Sequence, residues 1–142
     1  MRIPVLRLAG IYGPGKRSGA VYNFTRAVLR DEVVKIEQNR RVDLLYVEDA
    51  AEAVVTSLEK ADEIGDEVLN IGAGCSVGLD ELARTIGREA GKDVRIDCGE
   101  AGNEFYLDIS WARETLGFRP LPLHMGLRRF IPWVEEDIVE GT

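Results

Sequence analysis

The chain has 142 residues, with 25 acidic against 18 basic side chains and a formal charge of −7, which argues against a general nucleic-acid binder because a phosphate backbone needs a basic face. With 45% hydrophobic and 30% charged residues, it has the length and composition of one globular domain that needs neither disulfides nor metal to hold together. No apolar run approaches the ~20 residues of a membrane span, and the N-terminus lacks a signal peptide's basic region, apolar core and cleavage site, so a cytoplasmic location is expected.

In chain order, Ile3 to Ala9 is an apolar run broken by Arg7, which suits a strand buried on both faces in a parallel sheet. Gly10 to Gly19 is glycine-rich and reads as an irregular loop. Val21, Phe24, Val28 and Leu29 then share one face of a helix ending near Arg30. Val33 to Ile36 and Val42 to Val47 read as two strands joined by a turn at Gln38-Asn39-Arg40. Asp49 with Glu52 predicts an N-terminal cap for a helix to about Lys60, with Ala51, Val54, Val55 and Leu58 as its buried stripe.

A strand from Val68 to Ile71, a turn at Gly72-Ala73-Gly74, and a helix with Leu79, Leu82, Ala83, Ile86 and Ala90 on one face follow, stopped at Gly91. Val94 to Ile96 and Phe105 to Leu107 are weaker strands. Ser110 is the expected cap of a short helix stopped by Gly117, and a last amphipathic segment runs from about Met125 to Val139, where Pro132 is expected to kink or restart it. The order of elements is α/β, with strands too few for a complete doubly wound sheet and about four to five helices.

Three patterns bear on chemistry. Gly72-x-Gly74-x-x-x-Gly78 follows a strand and opens a helix, with Asp97 roughly 25 residues beyond Gly72, as in a dinucleotide cradle where amides meet a pyrophosphate and a carboxylate takes the ribose. The competing reading is a glycine turn entering a helix. Tyr12 and Lys16 have the Y-x-x-x-K spacing by which lysine activates a phenol on one helix face, but Pro14 and two glycines between them forbid that helix. Cys75, Cys98 and the single histidine, His124, give neither a disulfide framework nor zinc-ligand spacing, so no metal site is expected.

The segments RLAGIYGPGKR (7–17), VDLLYVEDAAEAV (42–54), VLNIGAGCSVGLDELA (68–83) and LGFRP (116–120) resemble, in order, the extended short-chain dehydrogenase/reductase family of NAD-dependent nucleotide-sugar epimerases and dehydratases. The resemblance implies a partial Rossmann-type fold: residues 1–142 as the C-terminal substrate-binding portion, with the family's cofactor fingerprint and catalytic Tyr-x-x-x-Lys belonging to a cofactor half absent from this sequence. It places Leu8 and Ala9 beside the nicotinamide, and Arg7, Gly10, Lys16, Arg17, Arg41, Tyr46 and Asn103 at the substrate.

Two departures from the family pattern stand out. Gly10 occupies the position of a substrate-binding asparagine, and Val42 that of a diphosphate-binding arginine, with Arg41 one position early. A one-residue shift in a strand turns a side chain to the opposite face, so Arg41 reaches the substrate only if a bulge or loop re-aims it. The region where a second family arginine is expected holds Glu100, Asn103 and Glu104 instead. The expectation is a chain that contacts a nucleotide sugar or other small carbonyl or alcohol substrate and is not catalytically competent alone. No residue of it is assigned a catalytic role; NAD or NADP would serve the intact relative, and neither is expected to bind this chain by itself. The alternatives are a stand-alone dinucleotide module built on Gly72, Gly74 and Gly78, and a non-enzymatic protein whose apolar surface makes a homo-oligomer or partner interface.

Overall fold

The computed structural model describes residues 1–141. Strand β1 (Val5–Leu8) pairs in parallel with β6 (Val68–Ile71), so that Leu6 meets Leu69 and Leu8 meets Ile71. Leu69 and Ile71 are fully buried, whereas Val5 and Leu8 are 48% and 42% exposed. The strand predicted to be buried on both faces is therefore half bare.

The chain then steps sideways into β2 (Gly10–Tyr12), which pairs in parallel with β5 (Leu44–Tyr46). The predicted loop thus begins only after Tyr12. Helix α1 (Gly19–Leu29) buries Val21, Tyr22, Phe24 and Val28, as its spacing predicts. Strand β3 (Val34–Ile36) does not fold back on the next strand; it pairs with β8 (Ile96–Cys98). Residues Asn39–Val42 form β4, flanked by β7 (Val77–Gly78) and β9 (Ala101–Glu104). The predicted turn at 38–40 is mostly strand, and the strand expected at 105–107 lies earlier, at β9.

Helix α2 (Val47–Glu59) starts two residues before Asp49, with Tyr46 at its N-cap and no side-chain cap bond. Asp49 is buried in the first turn, where Oδ2 accepts the Leu121 backbone N–H at 2.8 Å. The helix buries Ala50, Ala53 and Ser57, while Val54, Val55 and Leu58 face solvent. The face that packs is the small-residue one, and the apolar stripe read from sequence is uncovered. A four-residue helix, α3 (Ala61–Ile64), adds a sixth to the helices described.

Helix α4 (Leu79–Ala90) buries Leu79, Leu82, Ala83 and Ile86 and ends at Gly91 in the left-handed conformation. Helix α5 (Ser110–Leu116) ends likewise at Gly117, but Ser110 does not cap it. Instead the Asp108 carboxylate accepts both the Ser110 amide and hydroxyl. Helix α6 (Leu123–Glu140) runs through Pro132 without restarting. Proline removes one backbone bond there, and burial of Phe130, Ile131 and Val134 on either side holds the helix together.

Two cores result. One joins α1, α4 and α6 around Tyr12, Tyr46 and Phe130; the other joins β1 and β6 to α2 and α5 through Ala53, Leu69, Ile71 and Ala112. The first is fastened at its rim by Asp137, which accepts from Tyr22 Oη and Arg17 Nε, each at 2.7 Å, while Arg17 lies over Trp133. The Tyr22 hydrogen bond, and then the Arg17 guanidinium, hold the Asp137 carboxyl below its ordinary range. A depressed native pKa stabilises the fold above the unfolded pKa, and that contribution is lost as pH falls through the native value. Asp137→Asn is therefore expected to lower the urea midpoint at pH 7, with the gap from wild type closing as the pH is stepped down to about 2. A gap unchanged across that range would show that the carboxylate charge plays no part.

Candidate functional site

Strand β2, the N-terminus of α1 and strand β4 enclose a cleft with two chambers. The first, about 260 Å³, is bounded by Gly10, Lys16, Val42, Leu44 and Phe105. The second, about 390 Å³, is bounded by Phe24, Lys35, Glu37 and Gln38. Ala20, Arg40 and Leu79 line both, so the chambers meet at those three residues. Lys16 Nζ donates to the Ile11 carbonyl at 3.0 Å, which holds the ammonium at the first chamber with donors to spare.

The alternation of β4 decides which arginine enters the cleft. Side chains two apart in a strand share a face. Arg40 and Val42 face the cleft, while Asn39 and Arg41 face the start of α4: Asn39 Oδ1 accepts the Asp80 amide at 3.1 Å, and Arg41 donates to Glu81 at 2.9 Å. Arg41 also donates to Glu104, to Ser76 Oγ and to the Ser76 carbonyl. The β4–β9 register does slip, with Asn39 opposite Ala101 and Arg41 opposite Glu104. The extra residue lies in β9, and the slip brings Glu104 to Arg41 rather than turning Arg41 into the cleft.

The glycine turn has a different occupant from the one its spacing suggests. Asp43, 3% exposed between β4 and β5, accepts the amides of Ala73 at 2.7 Å and Gly74 at 3.4 Å, and that of Leu107 at 3.1 Å. A Cβ on Gly72 would stand 2.5 Å from Asp43 Oδ2, so glycine is needed for this approach. The amides a pyrophosphate would use are bonded to a carboxylate of the chain itself. Moreover, β7 intervenes before α4, and Asp97 lies on β8, in a different sheet from β6. No strand–helix–strand unit of the cofactor-binding kind forms here, and the residues present do not fit a dinucleotide at this turn.

Of the residues singled out from sequence, Gly10 and Lys16 line the cleft. Arg17 is bound to Asp137 at the far side of α1. Tyr46 is 2% exposed, its ring 5.4 Å from that of Tyr12 and beneath Arg129. Asn103 is exposed in the slipped part of β9. Arg7 and Leu8 lie on β1 and Ala9 is buried just beyond it. Tyr12 is a core residue whose hydroxyl is pushed up chiefly by burial, then by Tyr46 and Asp49, opposite to the shift of a lysine-activated phenol. Arg40 and Asp43 fall in the stretch 39–46 that the sequence places near the substrate, without a role of their own; a lone aspartate inside the apolar run from Val42 to Val47 was the available signal for the second.

The sequence profile described as the NAD dependent epimerase/dehydratase family matches residues 1–72. No curated protein matches the chain. Among solved structures, the UDP-glucose 4-epimerase of Thermotoga maritima with UDP-glucose superposes with a TM-score of 0.81 at 29% identity, over 97% of this chain and 47% of that one. MoeE5 in complex with UDP-glucose and NAD gives 0.83 at 28% identity, over 96% and 48%. The UDP-glucuronic acid 4-epimerase of Bacillus cereus gives 0.84 at 23% identity, over 96% and 46%, a likeness of fold. The chain thus spans about half the length of these structures.

Proposed function

The chain belongs to the NAD-dependent epimerase/dehydratase family, and from that premise we propose that it is a substrate-binding portion of a nucleotide-sugar epimerase, dehydratase or related reductase. The observation that carries this reading is the two-chambered cleft, built entirely from this chain and lined by cationic Lys16 and Arg40 although the protein is acidic overall. Sites for charged small molecules are concave, mostly apolar and provided with a few placed polar groups. Gly10 leaves the first chamber open beside the Asp43 carbonyl, where a side chain would otherwise stand.

The cofactor side of the reaction belongs elsewhere on this reading. The glycine turn is filled by Asp43, and no redox step is assigned to this chain. Its contribution is to hold and orient the substrate, with Leu8 and Ala9 as the backbone nearest a nicotinamide supplied by a cofactor-binding half. The open edge of β1 and the uncovered Val54, Val55 and Leu58 of α2 favour a surface that packs against such a half, or against a second copy.

The purified chain is expected to bind UDP-glucose saturably in calorimetry, to give no saturable NADH fluorescence change, and to turn over neither ligand. Saturable NADH binding abolished by Gly74→Asp would refute the assignment of roles. A strictly monomeric chain in size-exclusion chromatography would remove self-association through the apolar surface.

A further inference from the structure

We propose that a groove behind the glycine turn is a second binding site, separate from the two-chambered cleft, for a small aliphatic carboxylate held between Arg113 and Arg119 with its hydrocarbon against Leu44, Val77 and Leu123. It stands independently of the substrate-binding reading above. The groove has two ends. The larger, about 450 Å³, is bounded by Arg113, Gly117, Phe118 and Arg119. The smaller, about 110 Å³, is bounded by Leu44, Cys75, Val77, Leu121 and Leu123. Ala73 and Pro120 line both, so the ends meet across those two residues. A concave wall, apolar over one end and provided with a few placed charges at the other, is the make-up of a small-molecule site.

Charge sets the head of the ligand. Arg113 and Arg119 are exposed and make no hydrogen bond or ion pair among the described residues, whereas Arg17, Arg41, Arg84, Arg128 and Arg129 are each held by a carboxylate. Their place at the end of α5 does not account for them. The last carbonyls there are taken by the backbone, that of Arg113 accepting the Gly117 amide at 3.1 Å and that of Ala112 the Phe118 amide at 3.4 Å. Asp108 is already engaged: the Ser110 hydroxyl and amide, and more weakly Arg113, hold its carboxyl below the ordinary range. A Cβ on Gly74 would stand 3.7 Å from Arg113 Nη2, which places that guanidinium beside the turn. With no acidic residue in the wall of either end, a carboxylate is the complement of two planar guanidinium forks.

The walls are fixed before a ligand arrives. On one side Asp43 accepts the Ala73 amide at 2.7 Å, and on the other Asp49 accepts the Leu121 amide at 2.8 Å. Pro120 and Pro122 restrict the backbone on either side of Leu121, and Phe118, 6% exposed, supports the cationic end from the core. Because Asp43 takes the amides of Ala73 and Gly74, the groove offers an anion its guanidinium donors and no ring of backbone amides such as a phosphate uses. That favours a singly charged, planar carboxylate, and the apolar end selects one that carries a short hydrocarbon arm.

Cys75 reports on the apolar end, because it is exposed there, and Cys98, exposed on β8, serves as an internal control. The full chain is alkylated with iodoacetamide at fixed pH and ionic strength in rising isocaproate, and mass spectrometry reads the two cysteines separately. Isocaproate is expected to slow Cys75 at least about fivefold, with a millimolar midpoint, and to leave Cys98 unchanged. Arg113→Gln and Arg119→Gln should each raise that midpoint about threefold and together about 10-fold or more. Arg88→Gln, which removes an exposed arginine from α4, should leave it within about twofold. Acetate, which has no arm, and isoamyl alcohol, which has no charge, should need at least about 10-fold higher concentrations. Leu44 lines both the groove and the first chamber, so UDP-glucose is added as a competitor; it should leave the isocaproate midpoint unchanged. Protection that survives loss of both arginines, that acetate or isoamyl alcohol gives equally well, or that UDP-glucose displaces overturns the site. So does equal slowing at Cys98, or no protection at all. Both arginines are exposed, so their variants should melt with wild type, which separates a lost contact from a lost fold.

Discussion

Asp43→Ala is expected to destabilise the chain by about 3–5 kcal/mol, the loss of a buried carboxylate that serves three amides at once. The Ala73 and Leu107 bonds, at 2.7 and 3.1 Å, carry most of this, and the Gly74 bond at 3.4 Å adds little. Truncation removes the acceptor but leaves the donors in place, and donors without partners cost more than the bonds gained. Asp43→Asn, which retains one carbonyl acceptor, should lose about half as much. Urea unfolding reads both values, and an alanine variant within 1 kcal/mol of wild type would mean that water replaces the carboxylate without penalty.

A double-mutant cycle sharpens this result. Gly72→Ala alone pushes a methyl against Asp43 Oδ2, whereas in the Asp43→Ala background the same methyl enters vacated space. The two substitutions should therefore be less than additive by about 1–2 kcal/mol. The consequence reaches the cleft, because Asp43 ties the 72–74 turn and the segment after β9 to the break between β4 and β5. Phe105 and Arg40 lie on either side of that junction.

What could be read from the residues alone follows from the range of the forces involved. Helices α1 and α4 and the stops at Gly91 and Gly117 were legible because 3.6-residue periodicity and left-handed caps are local properties. Strand β9, Ala-Gly-Asn-Glu, has no strand-forming composition; it exists because β4 offers it an edge. Helix α2 was legible as a helix and its stripe as apolar, but which face is covered depends on what packs against it. The Asp49 cap failed for a related reason, since Leu121, distant in sequence, competes for its carboxylate. The parity argument at β4 turns Arg41 from the cleft, and counted two residues back from Val42 it leads to Arg40.

The second large effect lies in the core beneath the cleft. Phe130→Ala is expected to cost about 3–5 kcal/mol, because Phe130 is fully buried, stacked 5.8 Å from Trp133 and edge-on to Tyr12 at 6.1 Å. Removing a large ring leaves a cavity that α6 cannot close, with Tyr46 and Leu127 fixed around it. Tyr12 ends the strand that begins with Gly10, so loosening its ring also loosens the wall of the first chamber. Affinity for UDP-glucose should therefore fall with stability in this variant, although Phe130 itself does not line the cleft. Leu58→Ala makes the matching control: Leu58 is 71% exposed, and truncating it should change stability by less than about 0.5 kcal/mol. A large loss at Leu58 would mean that this face of α2 is covered by a second copy in solution, and a small one at Phe130 that the core is divided differently from the arrangement described.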